Sequence, residues 1–563
     1  MPDFYRLMPN EAMERLRRLG VLIPVFSLQR ENDLGIGDTV AMRVAVDWAA
    51  DHRVGFLQLL PINETGSDNS PYNAISSIAL DPVLIAMDLI PGIDSSAIQS
   101  ENTRCVHSEL VDYASAGQAK WKLLEAGYKV FCQSGGGDPA FEAFQKQEAE
   151  WLVPYTKYRW LMEQAGTEEW EQWPEDYNTA EKAELWLSAQ PEVDNALTFY
   201  AWVQWHAFTQ WRELSRYAAE KNVKLMGDIP IGISYSSADV FFEPQWFDLT
   251  LSGGSPPETV FKDDAFACQW GQNWGIPLYD WEELEKHDFA WWRQRIEKLT
   301  DVFHIFRIDH ILGFYRIFSF PWRPGRNDEF LGLTEAEAKK KTGGKLPQFH
   351  PFPDDTIAHK KTNLEAGDQY LKVVLEAAGD SEVVGEDLGC VPDYVRPHLA
   401  KIGIAGFKIC HWEELNDGEA VPGSDYPECA FATYATHDHD SIPAMWNTLT
   451  GMLWGLEHEG AMEGLALLSD FAGLPKGENG HAYSKYGPVV KWALLEKLFK
   501  SRADYAAIMI TDLIDSTKRI NIPGTVGGEN WRYRLPWKLT DMPASLQVES
   551  LRMKELIHVA RRD

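Results

Sequence analysis

Eight short apolar runs, each broken off by a polar residue or glycine, constrain this chain more than any other feature. They are "VLIPVFSL" (21–28), "VGFLQLLPI" (54–62), "VKLMGDIPI" (223–231), "HIFRIDH" (304–310), "SEVVGEDLG" (381–389), "IAGFKIC" (404–410), "FATYATHDHD" (431–440) and "AAIMITDLI" (506–514). At the fourth, the apolar lead-in Val302, Phe303, Ile305, Phe306 and Ile308 has the length and β-branched content of a strand buried on both faces, as in a parallel sheet. Helical patterns lie between most of the runs, such as "TVAMRVAVDWAADHR" after the first and "WWRQRIEKLTDVF" before the fourth. Strands alternating with helices imply right-handed βαβ units, and eight units predict an α/β fold, a (β/α)8 TIM barrel.

The spacing is uneven in two places. About 160 residues separate the second and third runs and about 70 the fourth and fifth, far more than a crossover helix needs. Insertions around the carboxyl-end mouth account for the excess. The expected organisation is barrel over 1–90, a mostly helical inserted subdomain over 91–200, barrel with an active-site loop over 201–320, a second insertion over 321–375, and barrel over 376–563. The first insertion carries Trp151, Trp160, Trp170, Trp173, Trp186, Trp202, Trp205 and Trp211. Indoles stack well on sugars, but helical spacing favours packing on the core, so no sugar contact is assigned there.

The formal net charge is −31. A field of that sign repels nucleic acid and anionic membrane and suits a neutral substrate. Six scattered cysteines without a CxxC give little support to a disulfide framework or a zinc site, and are read as thiols of a reducing compartment. Neither a signal-peptide core nor a run of 18 apolar residues occurs, so a cytoplasmic location is expected.

Strand side chains alternate with period two, so Arg307 and Asp309 point to one side. Alone, such a pair is equally well a structural cap. In a barrel, however, residues at strand carboxyl ends converge, and Asp228, Arg307, Asp309, Glu386, Asp387, His437, Asp438, His439 and Asp440 all fall there. A ring drawn from four strands points to function. Two chemistries suit it: metal-assisted hydrolysis, with "THDHD" as a ligand source, or glycosyl transfer by two carboxylates without a metal. Arg307 favours the second, because a guanidinium keeps a neighbouring carboxylate ionised and competes with a divalent cation for it.

At these residues a resemblance becomes specific. "FRIDH", "GEDLG" and "THDHD" resemble, in order, the nucleophile, acid/base and third-carboxylate motifs of the α-amylase clan. "GVLIPVFSLQRENDLGIGD", "LQLLPINETGSDNSPYNAISSIALDP", "MGDIPIGISYSSADVFFEPQWFDL", "GQNWGIPLYDW" and the closing "INIPGTVGGENWRYRL" are similar to the 4-α-glucanotransferase family, also called amylomaltase or disproportionating enzyme. The resemblance covers roughly residues 20–90 and 200–540, interrupted at about 321–380.

That resemblance implies a retaining 4-α-glucanotransferase that moves α-1,4-linked glucosyl or oligoglucosyl units between maltooligosaccharides, glucose and other α-glucan acceptors, with no metal and no organic cofactor. It implies Asp309 as nucleophile, Glu386 as acid/base and Asp438 as the third carboxylate, holding sugar hydroxyls. Arg307 and His437 would orient the site, Tyr72 stack on sugar, Asp228 hold its hydroxyls, and Gln272 and Trp274 shape the acceptor side. His310 is expected to be a neutral supporting donor, and Asp387, His439 and Asp440 are assigned no chemistry. Two departures stand out: Glu258 where the family commonly has Asp, and "PWRPGRNDEFLGLTEAEAKKKTGGKLPQFHPFPDD" in place of a Gly-rich segment. The second resembles the plant cytosolic branch. The alternatives are an α-glucan hydrolase of the same clan and a non-catalytic glucan-binding scaffold.

Overall fold

A computed structural model describes residues 17–257, 264–454 and 458–563, so Glu258 lies outside the described residues. Each of the eight runs contributes one strand to a closed parallel barrel. Its members are β1 (Arg18–Leu22), β2 (Phe56–Gln58), β3 (Lys224–Ile229), β6 (Ile305–Ile308), β9 (Glu382–Gly385), β10 (Ala405–Ile409), β11 (Ala430–Thr433) and β12 (Tyr505–Met509), and β12 pairs back on β1. A second, antiparallel sheet, ordered β5-β4-β7-β8, is formed by β4 (Phe247–Ser255), β5 (Gln272–Tyr279), β7 (Ile317–Phe320) and β8 (Gln348–His350). It is supplied by the segments that leave barrel strands β3 and β6.

The strands are shorter than the apolar runs. Pairing of the first run stops at Leu22, and Val25–Ser27 form a 3-10 turn after Pro24, which has no N–H for a ladder. Of the seventh run only Phe431–Thr433 lie in β11, so "THDHD" lies on the loop beyond it.

Alternation along the strands divides the core in two. Phe56, Met226, Ile305, Val384, Ala405, Phe407, Ile409, Phe431, Tyr505 and Ala507 pack together inside the barrel. Two residues further on, the same faces carry Gln58, Asp228, Arg307 and Glu386. The polar ring is thus the next layer above an apolar plug. Oppositely facing residues such as Leu57, Leu225, Ile308 and Val383 join the larger core under the helices.

The first insertion folds as helices Ser95–Asn102, Tyr113–Gln133, Pro139–Gln147, Ala149–Ala165, Ala180–Ser188 and Val193–Glu220. The last of these runs through residue 200 and leads into β3. Trp151, Trp173, Trp202 and Trp211 are buried, and the other four tryptophans pack against the same core. On the long helix, buried Gln204 bonds the backbone N–H and C=O of Leu80, and Gln210 does the same for Ala86. These bonds anchor the segment that follows Tyr72. Among the described residues no helix is long and apolar enough to cross a membrane.

Candidate active site

The register of β3, β6 and β9 sets the centre of the site. Asp228 pairs with Arg307, and Ile308 pairs with Gly385, so Asp309 and Glu386 leave adjacent strands at the same level. The Asp309 N–H still bonds Ile229 O at 2.9 Å, and the Glu386 N–H bonds Ile308 O at 2.9 Å, which hold both residues at the strand ends. Neighbouring strands lie about 4.8 Å apart, so the two carboxyl groups start close together.

Arg307, almost fully buried, places Nη1 2.9 and 2.7 Å from the two oxygens of Asp228 and Nη2 2.8 Å from Asp309 Oδ1. Its guanidinium lies over the Phe407 ring at 5.7 Å, on the apolar plug. The Tyr72 hydroxyl donates to Asp228 Oδ2 at 2.6 Å. Its ring stacks on His437 with centroids 5.3 Å apart and an interplanar angle of 15°. His437 Nε2 lies 3.4 Å from Asp438 Oδ1. One connected group therefore joins Tyr72, Asp228, Arg307, Asp309, His437 and Asp438, drawn from four separate segments.

Glu386 is held differently. Its Oε2 accepts from the backbone N–H of His310 at 2.8 Å and its Oε1 from that of Leu388 at 3.0 Å. The first bond requires His310 to turn left-handed, at φ 47°. The His310 ring then meets Trp274 edge to face, with centroids 4.8 Å apart, and Trp274 Nε1 donates to Gln272 Oε1 at 3.0 Å. Gln272 and Trp274 thus reach the centre through His310.

Burial pushes the Glu386 carboxyl up to about 8, with Asp309 adding to the rise while Arg307 and the two N–H donors oppose it. Burial also raises Asp309, to about 6, despite the pull of Arg307, because Asp228 and Asp438 lie nearby. The expectation that Arg307 alone keeps this carboxylate well ionised is therefore too simple: three acids share one guanidinium. Asp438 goes the other way. Burial raises it, but His437, a hydrogen bond from Asn521 and Arg307 bring it below the usual range. Burial lowers His310 to about 4, leaving a neutral ring at pH 7.

Asp387, His439 and Asp440 take other partners. Asp387 accepts from Phe407 N–H and from Arg396 Nε. His439 turns to the Thr436 hydroxyl, 2.8 Å away, and Asp440 pairs with Arg519 at 3.3 Å. The side chains of "THDHD" thus diverge, and among the described residues no group of three or more His, Cys, Asp or Glu is arranged to hold a metal ion.

Two residues at the site were not singled out in the sequence. Asn521 Nδ2 donates to Asp438 Oδ1 at 2.6 Å, and Trp531 lies 5.7 Å from both the Tyr72 and His437 rings. Both belong to "INIPGTVGGENWRYRL", a stretch with motif character but no local sign of which side chains turn inward. A buried ion pair at 2.6 Å between Arg534 and Asp33 fastens that stretch to the loop after β1.

A family model described as 4-alpha-glucanotransferase matches residues 23–540. A 4-alpha-glucanotransferase of Chlamydia pneumoniae is 28% identical over 548 residues, covering 93% of this chain and 92% of that protein. The 4-alpha-glucanotransferase DPE2 of Oryza sativa subsp. japonica is 32% identical over 332 residues, covering 57% of this chain and 34% of its own length. Among solved structures, the amylomaltase of Streptococcus agalactiae, in complex with acarbose, superposes with a TM-score of 0.75 at 24% identity, covering 97% of this chain and 99% of that one.

Proposed function

Because the chain belongs to the 4-alpha-glucanotransferase family, we propose that it transfers α-1,4-linked glucosyl or oligoglucosyl units with retention, through a glycosyl ester on Asp309. The observation that carries this reading is the pairing of unlike carboxyl groups at the ends of adjacent strands. Asp309 faces a guanidinium at 2.8 Å and is raised only to about 6, whereas Glu386 is raised to about 8. Two neighbouring acids whose environments separate their pKa values divide into nucleophile and general acid.

In the first half-reaction an Asp309 oxygen attacks the anomeric carbon. The glycosidic C–O bond breaks, and Glu386 gives its proton to the departing oxygen. In the second, Glu386 removes the proton from an incoming sugar hydroxyl, whose oxygen attacks the anomeric carbon and releases Asp309. Two inversions restore the α configuration. Asp438, ionised and held by Asn521, binds sugar hydroxyls as positive charge grows on the ring. Tyr72 offers an aromatic face, and Arg307 holds Asp309 and Asp228 in place. Acceptors are glucose, maltooligosaccharides and longer α-glucans, chosen by Gln272 and Trp274.

Glu386→Gln with α-glucosyl fluoride tests these roles, since fluoride leaves with little protonation while sugar does not. Maltotriose turnover should be lost, and a glucosyl adduct should accumulate on Asp309, visible by peptide mass spectrometry. An adduct on another residue overturns the reading.

A further inference from the structure

Residues 272 and 274 face the site, so Asn273 between them faces away. Its amide enters a closed network. Asn273 Oδ1 accepts from the buried Ser252 hydroxyl at 2.6 Å, and its Nδ2 donates to Trp322 O at 3.0 Å and to Asn327 Oδ1 at 3.1 Å. Asn327 Oδ1 also accepts from Trp322 Nε1 at 3.1 Å. Donor and acceptor chemistry sets both amides: a carbonyl only accepts and an indole only donates, so Asn273 presents nitrogen and Asn327 presents oxygen.

The turn that carries Asn327, Pro324–Glu329, is itself anchored. The Trp322 ring stacks on Phe330 with centroids 3.7 Å apart and an interplanar angle of 5°. On the other side Arg323 lies 4.0 Å over the Tyr235 ring and pairs with Glu171 of the first insertion. Gly275, at φ +74°, packs on the same turn so closely that a Cβ there would come within 3.1 Å of Pro324 Cγ. The strand bearing Trp274 is thus seated on the segment that departs from the family pattern.

We infer that Asn327 is a positioning residue for acceptor choice: by accepting from Asn273 and Trp322 it keeps β5 seated, so that Trp274 stays against His310 beside Glu386. This rests on the reading that Trp274 shapes the acceptor side. Loss of this half-buried acceptor leaves an Asn273 N–H and the Trp322 indole N–H without their partner, and β5 is released without any change in the Asp309 and Arg307 contacts.

The test uses α-glucosyl fluoride as donor and glucose as acceptor, and follows fluoride release together with the division of the ester between water and glucose. In Asn327→Ala the glucose concentration that captures half of the ester should rise about tenfold, while fluoride release without acceptor falls less than about threefold. Asn327→Asp keeps the accepting oxygen and should restore capture to within about twofold of the parent. Asn273→Ala cuts the same bond from the strand side and should reproduce the defect. Unchanged capture in folded Asn273→Ala and Asn327→Ala, with capture impaired in Trp274→Ala, overturns the inference alone. Unchanged capture in all three overturns the acceptor-side reading beneath it. An Asn327→Asp enzyme as defective as Asn327→Ala reduces Asn327 to fold support and also overturns the proposal.

Discussion

Arg307 divides its terminal nitrogens between two acids, with Nη1 2.7 Å from Asp228 and Nη2 2.8 Å from Asp309. The planar fork serves both because its donors diverge at fixed angles, and neither carboxylate is free to swing toward the other. A lysine ammonium is a single point charge and cannot span the same gap. Arg307→Lys should therefore fold, as judged by thermal unfolding, yet lose on the order of 100-fold in kcat/KM on maltotriose. With the Nη2 hydrogen bond to Asp309 lost, its pKa should climb and the acid limb of the pH profile should move up. A retained rate with an unmoved acid limb contradicts the role given to Arg307.

The parent enzyme should show a bell-shaped profile of kcat/KM. Activity needs Asp309 ionised and Glu386 protonated. It should rise as pH climbs through about 6 and fall as pH climbs through about 8. The two limbs belong to the coupled pair, so the assignment needs a second measurement. In Glu386→Gln, the rate of ester formation from α-glucosyl fluoride should keep the acid limb and lose the alkaline one. An alkaline limb that persists there is not due to Glu386.

The diverging partners of His437, His439 and Asp440 bear on the rival metal chemistry. Exhaustive dialysis against a strong chelator should change maltotriose disproportionation by less than about twofold, because Arg307 already occupies the Asp228 and Asp309 oxygens that a cation would need. Loss of activity, regained on adding a divalent ion, would favour metal-assisted hydrolysis.

Transferase and hydrolase part at the acceptor. Water is present at about 55 M, so a sugar at about 10 mM must be preferred roughly 5,000-fold per mole to break even, about 5 kcal/mol of differential transition-state stabilisation. Glu386 would deprotonate either acceptor, so the difference must come from sugar contacts and the exclusion of water. Trp274→Ala should raise the ratio of hydrolysis to transfer at least fivefold. Released reducing ends, measured against labelled glucose entering longer chains, give that ratio. Both rates falling together at constant ratio would remove Trp274 from acceptor choice.

What the sequence by itself determined is what short-range pattern can encode. The eight barrel strands are legible because each is a few apolar residues long and ends where polarity begins. Asp228, Arg307 and Glu386 are legible for the same reason, since period-two alternation places them one layer beyond the apolar interior, and the barrel then makes them neighbours. Motif resemblance added Tyr72, Gln272 and Trp274, and gave His437 and Asp438 their roles. Tertiary structure decided the rest. Pro24 shortened the first strand, an effect readable only with the partner strands in place. The pull of Arg307 on Asp309 could be weighed only once Asp228 and Asp438 were known to share its surroundings. Asn521 and Trp531 lie far along the chain from Tyr72, and nothing in their own neighbourhood marks them as facing it. Asn327 is likewise an ordinary turn residue until Asn273 folds against it. Strand and helix periodicity arise from each residue's own backbone, whereas burial, charge coupling and hydrogen bonding between distant segments exist only after the chain has closed on itself.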